Sequence, residues 1–83
     1  MNIHVYVTPK AGILDPQGAT VERALPALGF SGVSGVRIGK YIELQLQPAE
    51  GADPTAVREQ IDDMCRRLLS NPIIEDYRFE IDE

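Results

Sequence analysis

The chain is poor in the residues that do chemistry. It has no tryptophan, a single histidine (His4) and a single cysteine (Cys65). One cysteine excludes an internal disulfide and fits a reducing compartment. Cations are also scarce: eight Lys and Arg stand against thirteen Asp and Glu, a net charge of −5. That balance repels phosphodiester backbones, so nucleic acid is a poor partner. No apolar run approaches the roughly 20 residues of a membrane span. No basic segment followed by an apolar one opens the chain as a secretory signal would. The expectation is a cytoplasmic protein that engages neither nucleic acid nor membrane.

What is present is enough for one domain, residues 1–83. A chain of this size buries only about 60–65% of its unfolded surface, so stability is modest unless subunits share surface. IHVYV (3–7) alternates as a half-buried strand does, with Ile3, Val5 and Val7 toward a core. DPQGATVERALPALG carries Val21, Ala24, Leu25 and Leu28 at helical spacing and stops at Gly29. Pro26 loosens that helix, because it removes a backbone hydrogen bond and crowds the preceding turn. GVRIGKYIELQLQP reads as two strands joined at Gly39-Lys40, the chemistry of a two-residue hairpin turn. ADPTAVREQIDDMCRRLLSNP is a second helix with Val57, Ile61, Met64, Cys65 and Leu68 on its apolar stripe. Asp62–Arg66 and Asp63–Arg67 are i,i+4 pairs along it. EDYRFEID closes the chain as a strand with Tyr77, Phe79 and Ile81 inward.

The order β-α-β-β-α-β contains a weak repeat. PKAGILDP (9–16) and PAEGADP (48–54) each follow a strand and lead through Asp-Pro into a helix. Two such halves predict an α+β, split βαβ (ferredoxin-like) fold. Its four-stranded antiparallel sheet would have both helices on one face. The other face would hold His4, Tyr6, Arg37, Tyr41, Glu43, Gln45, Arg78 and Glu80. His4, Tyr6, Glu43 and Gln45 are the self-association candidates there.

No catalytic constellation emerges. Asp15-Pro16 is a helix start, with Asp accepting orphan N–H groups and Pro having none to waste. Asp53-Pro54 repeats it. Capping leaves Gln17 and Gly18 unexplained, since glycine in a first turn costs about 1 kcal/mol and often marks a close approach. Cys65 sits on an apolar stripe without a histidine beside it, and His4 stands alone, so neither a nucleophile nor a metal site forms. Glu43 and Glu80 share a flat face, which lacks the cleft a carboxylate pair needs.

Three stretches taken together, GILDPQG, VRIGKYIEL and RRLLSNPIIEDYRFEI, resemble the PurS family over essentially the whole chain and in the same order. The resemblance implies the small, non-catalytic subunit of phosphoribosylformylglycinamidine synthase in de novo purine synthesis. In that family PurQ releases ammonia from glutamine, and PurL uses ATP to add it to formylglycinamide ribonucleotide. PurS bridges the two, helps ammonia pass, and forms a homodimer or tetramer. ATP, Mg and glutamine belong to the complex, and no cofactor belongs to this chain. The matching positions, carried over as partner contacts, are Asp15, Pro16, Gln17 and Gly18, then Arg37, Gly39, Lys40 and Tyr41, then Asn71, Glu75 and Tyr77. Pro26 and Ser70 depart from the family pattern. The alternative is a free-standing dimeric regulatory module that binds a small effector. On this reading Asp15→Asn folds nearly normally, whereas Gly18→Leu folds but impairs assembly with the large subunit. Co-purification of the variants with that subunit checks both.

Overall fold

The computed structural model describes residues 1–82. Strand β1 (Asn2–Pro9) lies between β2 (Lys40–Gln45) and β3 (Glu75–Asp82), both antiparallel to it. Helix α1 (Pro16–Ala24) and a 3-10 turn (Pro26–Leu28) fall between β1 and β2. Helix α2 (Pro54–Met64) and a wide π turn (Cys65–Leu69) fall between β2 and β3.

Among the described residues the sheet therefore has three strands, and the expected fourth strand and hairpin do not form. The reason lies at Gly39. A Gly-X hairpin turn needs a positive φ at the glycine. Gly39 is absent from the left-handed glycines, which are Gly12, Gly29, Gly32, Gly35 and Gly51. The chain passes Gly39 without reversing. It lies so close to β1 that a Cβ there would stand 2.1 Å from the Val7 carbonyl oxygen. Residues 36–39 thus run beside the end of β1, and Arg37 Nη1 donates to the Pro9 carbonyl at 3.1 Å. Both chains leave the sheet together and carry α1 away from it.

Only α2 covers the sheet, which corrects the expectation of two helices on one face. The core is Ile3, Val5 and Val7 of β1 against Val57 and Ile61 of α2 and Cys65 at the start of the π turn. Ile42, Leu44, Tyr77, Phe79 and Ile81 of the flanking strands pack at its margin and are half-buried. One helix about 10 Å wide spans about two strands at 4.8 Å spacing, so the outer strands stay partly open. The molecule measures 55 × 25 × 15 Å, with a radius of gyration of 16.7 Å. A compact chain of this length would have about 12 Å.

Local sequence accounts for the helix ends. Asp15 Oδ1 accepts from Gly18 N–H at 3.0 Å, and Asp53 Oδ1 from Thr55 N–H at 3.1 Å. The repeat's two glycines, Gly12 and Gly51, both take the left-handed conformation, at φ 85° and 77°. Helix α1 ends at Ala24, two residues before Pro26, and Gly29 stops the 3-10 turn at φ 95°. In the second helical segment the apolar stripe changes phase. The π turn, closed by Ser70 N–H to the Cys65 carbonyl, turns Leu68 out to 83% exposure and brings Leu69 against the core. The expected place of Leu68 on the stripe is corrected accordingly. The ion pairs shift too: Arg66 binds both Asp62 and Asp63, where Arg67 was expected to bind Asp63.

Leu69→Ala should therefore cost about 1–3 kcal/mol, and Leu68→Ala less than about 0.5 kcal/mol, in urea denaturation. Equal losses at the two positions would contradict the phase change.

Candidate functional site

All but two of the candidate contact residues, Tyr41 and Tyr77, gather in two places. The first is a corner where α1 meets the return segment. Asp15 Oδ2 accepts from Ile38 N–H at 2.8 Å while Oδ1 caps Gly18, so one carboxylate ties helix start to return chain. Glu22 Oε1 accepts from Val36 N–H at 3.0 Å and makes a second tie. Gly18 is buried between them; a Cβ would lie 2.4 Å from the Val36 carbonyl oxygen and from Asp15 Oδ2. The backbone approach that this glycine signals comes from the chain itself. Gly18→Leu must displace residues 36–38, so the expectation that it leaves the fold intact is corrected. Pro16 and Gln17 are exposed and line a shallow groove of about 490 Å³ with Val21 and Ile38.

The second place is the end of the sheet where the arm departs. Lys40 Nζ donates to the Leu69 carbonyl at 3.3 Å, and Lys10 N–H to the Ile74 carbonyl at 2.9 Å. Glu75 Oε1 accepts from Asn71 N–H at 2.7 Å, while Asn71 Oδ1 accepts from Ile73 N–H at 3.2 Å. These bonds hold the 69–75 turn against residues 8–10 and 37–40. Arg37, Gly39, Lys40, Asn71 and Glu75 are thus neighbours at one end. The turn presents Leu68 and Ile73, and the start of the arm presents Leu14; each is 83% exposed.

Tyr77 lies apart from both, facing α2. Its hydroxyl donates to Asp62 Oδ1 at 2.6 Å, and that bond pushes the phenol up to about 12 while it lowers the carboxyl. Tyr77 therefore fastens β3 to α2. Tyr41 lies on the open face, where its hydroxyl is 2.5 Å from His4 Nδ1. The Tyr6 ring is tilted against Tyr41, with ring centres 5.1 Å apart, and the Arg78 guanidinium lies over Tyr6 at 3.9 Å. His4, Tyr6, Glu43 and Gln45 do share that face, in register across β1 and β2. The sequence reading missed Glu22, which nothing in its spacing marks, and the pairing of Lys10 with Asp76 at 3.1 Å.

Among the described residues no nucleophile, base and oxyanion donor come together. Burial pushes the Cys65 thiol up, away from the nucleophilic thiolate. Among the described residues no three His, Cys, Asp or Glu side chains gather as a metal site, and no helix is long and apolar enough to cross a membrane. Fold and site together define a small, open α+β chain with much of its apolar surface exposed.

Comparison with known proteins gives the family. The profile of the PurS family, described as phosphoribosylformylglycinamidine (FGAM) synthase, matches residues 2–83. The PurS subunit of Synechocystis is 51% identical over 77 residues, which cover 93% of this chain and 74% of that one. The crystal structure of Bacillus subtilis PurS superposes with a TM-score of 0.81 at 41% identity, covering 99% of this chain and 98% of that one. A chain of the Thermotoga maritima PurLQS structure gives 0.80 at 28% identity, over 95% and 93%. The chain belongs to the PurS family.

The Asp15 carboxyl titrates below the ordinary aspartate range, because Ile38 N–H and then Gly18 N–H favour its charged form. A depressed folded-state value means that the tie is complete above the unfolded value and is lost as pH falls through the folded one. The Ile38 and Gly18 amide signals should therefore move together in NMR as pH falls below the ordinary range. Asp15→Asn should abolish that titration and leave the β1–β3 amides in place. Independent midpoints for the two amides would refute a shared carboxylate.

Proposed function

We propose that this chain is the adaptor of a three-component phosphoribosylformylglycinamidine synthase. It holds a glutaminase, PurQ, and an ATP-dependent synthetase, PurL, in one assembly and assists the passage of ammonia between them. The observation that carries the reading is membership of the PurS family along residues 2–83, together with a relative that belongs to a PurLQS structure. The geometry supports it in kind: contact residues converge at the α1 corner and at the arm-side end of the sheet, and nothing there can activate glutamine or ATP. Those two places are the proposed partner contacts, and the chain acts as a homo-oligomer in the cytoplasm. ATP, Mg and glutamine are bound by the other subunits.

The division of labour has a physical rationale. Ammonia in neutral water is mostly ammonium, which has no lone pair with which to attack. A route closed to bulk water keeps the reactive base. An adaptor that holds two active sites in register raises the effective concentration of one product at the next site without chemistry of its own.

Added to matching PurL and PurQ, this chain should restore glutamine-dependent synthesis while having no activity alone. Synthesis driven by added ammonia should depend on it far less. Full glutamine-dependent activity from PurL and PurQ without this chain would overturn the reading. Tight calorimetric binding of a small effector by the isolated chain would favour a regulatory module instead.

A further inference from the structure

The last strand leaves one side of the sheet open. Lys10 N–H donates to the Ile74 carbonyl at 2.9 Å, which sets the parity of the β1–β3 ladder. By antiparallel alternation Asp76, Arg78, Glu80 and Asp82 turn their N–H and C=O groups toward β1. Tyr77, Phe79 and Ile81 turn theirs away from it, at the outer edge of the strand order. The pairing runs without a bulge from Glu75 opposite Pro9 to Asp82 opposite Asn2, and β3 contains no Pro, Gly or Lys. Those are the usual devices that keep a foreign strand off an edge.

Charge is the guard that remains, and it is of one sign. β3 holds Glu75, Asp76, Glu80 and Asp82 against Arg78, a net of −3 within eight residues of a chain whose total is −5. β2, the other outer strand, holds one Lys and one Glu and has no such bias. Like charges across a strand pair destabilise it and opposite charges favour it. A second β3 is therefore repelled, because one Arg78 cannot answer four carboxylates, whereas a basic strand is attracted. On the helix side a cleft of about 600 Å³ lies between α2 and β3, with Asp62, Arg66 and Phe79 in its lining. Phe79 is half-buried there, with the Arg58 guanidinium 5.1 Å from its ring centre. An added strand would bond the free edge with its backbone and send alternate side chains into the cleft and over the acidic row, the two parts of recognition by strand addition.

We propose that the free edge of β3 binds an extended basic segment of a different protein, antiparallel to it. Apolar residues of that segment face the Phe79 cleft, and its Lys or Arg residues face Asp76, Glu80 and Asp82. The proposal rests on the edge alone and stands whether or not the chain is an adaptor.

The test titrates the full-length, isotope-labelled chain at low salt with a capped eight-residue peptide of alternating lysine and valine. The Tyr77, Phe79 and Ile81 amides should shift and gain protection from hydrogen exchange, while the Arg78 and Glu80 amides keep theirs. Valines facing the cleft in an antiparallel pair point their own N–H groups at β3. Methylating the valine amides should therefore weaken binding about tenfold or more, and methylating the lysine amides far less. Glu80→Lys with Asp82→Lys, both at exposed positions, should weaken it about fivefold or more. No shift at millimolar peptide overturns the proposal. So does equal binding of the valine-methylated peptide, which is charge attraction alone, or of a peptide of alternating glutamate and valine. Shifts confined to Tyr41, Glu43 and Gln45 of β2 overturn it as well. Protection of the β3 edge in the peptide-free chain that vanishes on dilution assigns the edge to a second copy and overturns it too.

Discussion

Most of this structure follows from how closely one glycine lies to one carbonyl. At Gly39 the returning chain meets Val7 of β1 at a distance that leaves no room for a Cβ, and it passes straight on. A reversal there would have folded residues 33–38 against β2 and drawn α1 over the sheet. Without it, β1 and the return segment leave the sheet side by side, and the loop between them becomes an arm. The 55 Å length, the half-open sheet and the exposed apolar side chains of residues 21–38 are consequences of that single passage.

The arm keeps its shape through carboxylates rather than through a core. Asp15 bonds two backbone N–H groups and Glu22 a third, all donors that an isolated helix and an extended strand would otherwise leave to water. Carboxylate acceptors make stronger hydrogen bonds than neutral ones, which suits a segment with no buried apolar mass. Asp15 and Asp53 begin as the same sequence device. Asp53 caps α2, whose burial already fixes it, whereas Asp15 also fixes the return segment across 23 residues of chain.

What the sequence made legible was local or periodic. The three strands that formed, with Ile3, Val5, Val7, Phe79 and Ile81 inward, follow from alternation. The helix starts at Asp-Pro and the interruption before Pro26 follow from backbone chemistry. The failures came where a local rule competed with a contact distant in sequence. Gly39-Lys40 satisfies the residue preference of a hairpin turn, but the Val7 carbonyl, 32 residues away in sequence, decides what the chain does there. Leu68 satisfies the 3.6 period that the π turn breaks. Gly18 looked like a mark left by another protein, and the close backbone belongs to Val36. Nothing in a single sequence sets Val36 beside Gly18, so the partner inside the chain could not be told from one outside it.

For a chain this small, an open architecture ties stability to assembly. The buried core consists of three side chains of β1, two of α2 and Cys65 of the π turn, near the lower limit for an independent domain. Anything that binds the folded form and not the unfolded one adds to its stability by mass action. A partner that covered the exposed apolar side chains of the arm, or those of the Leu14–Ile73 end, would therefore both stabilise the fold and place it. That coupling suits an adaptor better than an enzyme. An enzyme must hold reacting groups to fractions of an ångström whether or not a partner is present. An adaptor needs its geometry only in the complex, where its partners supply the surface that its own chain leaves open.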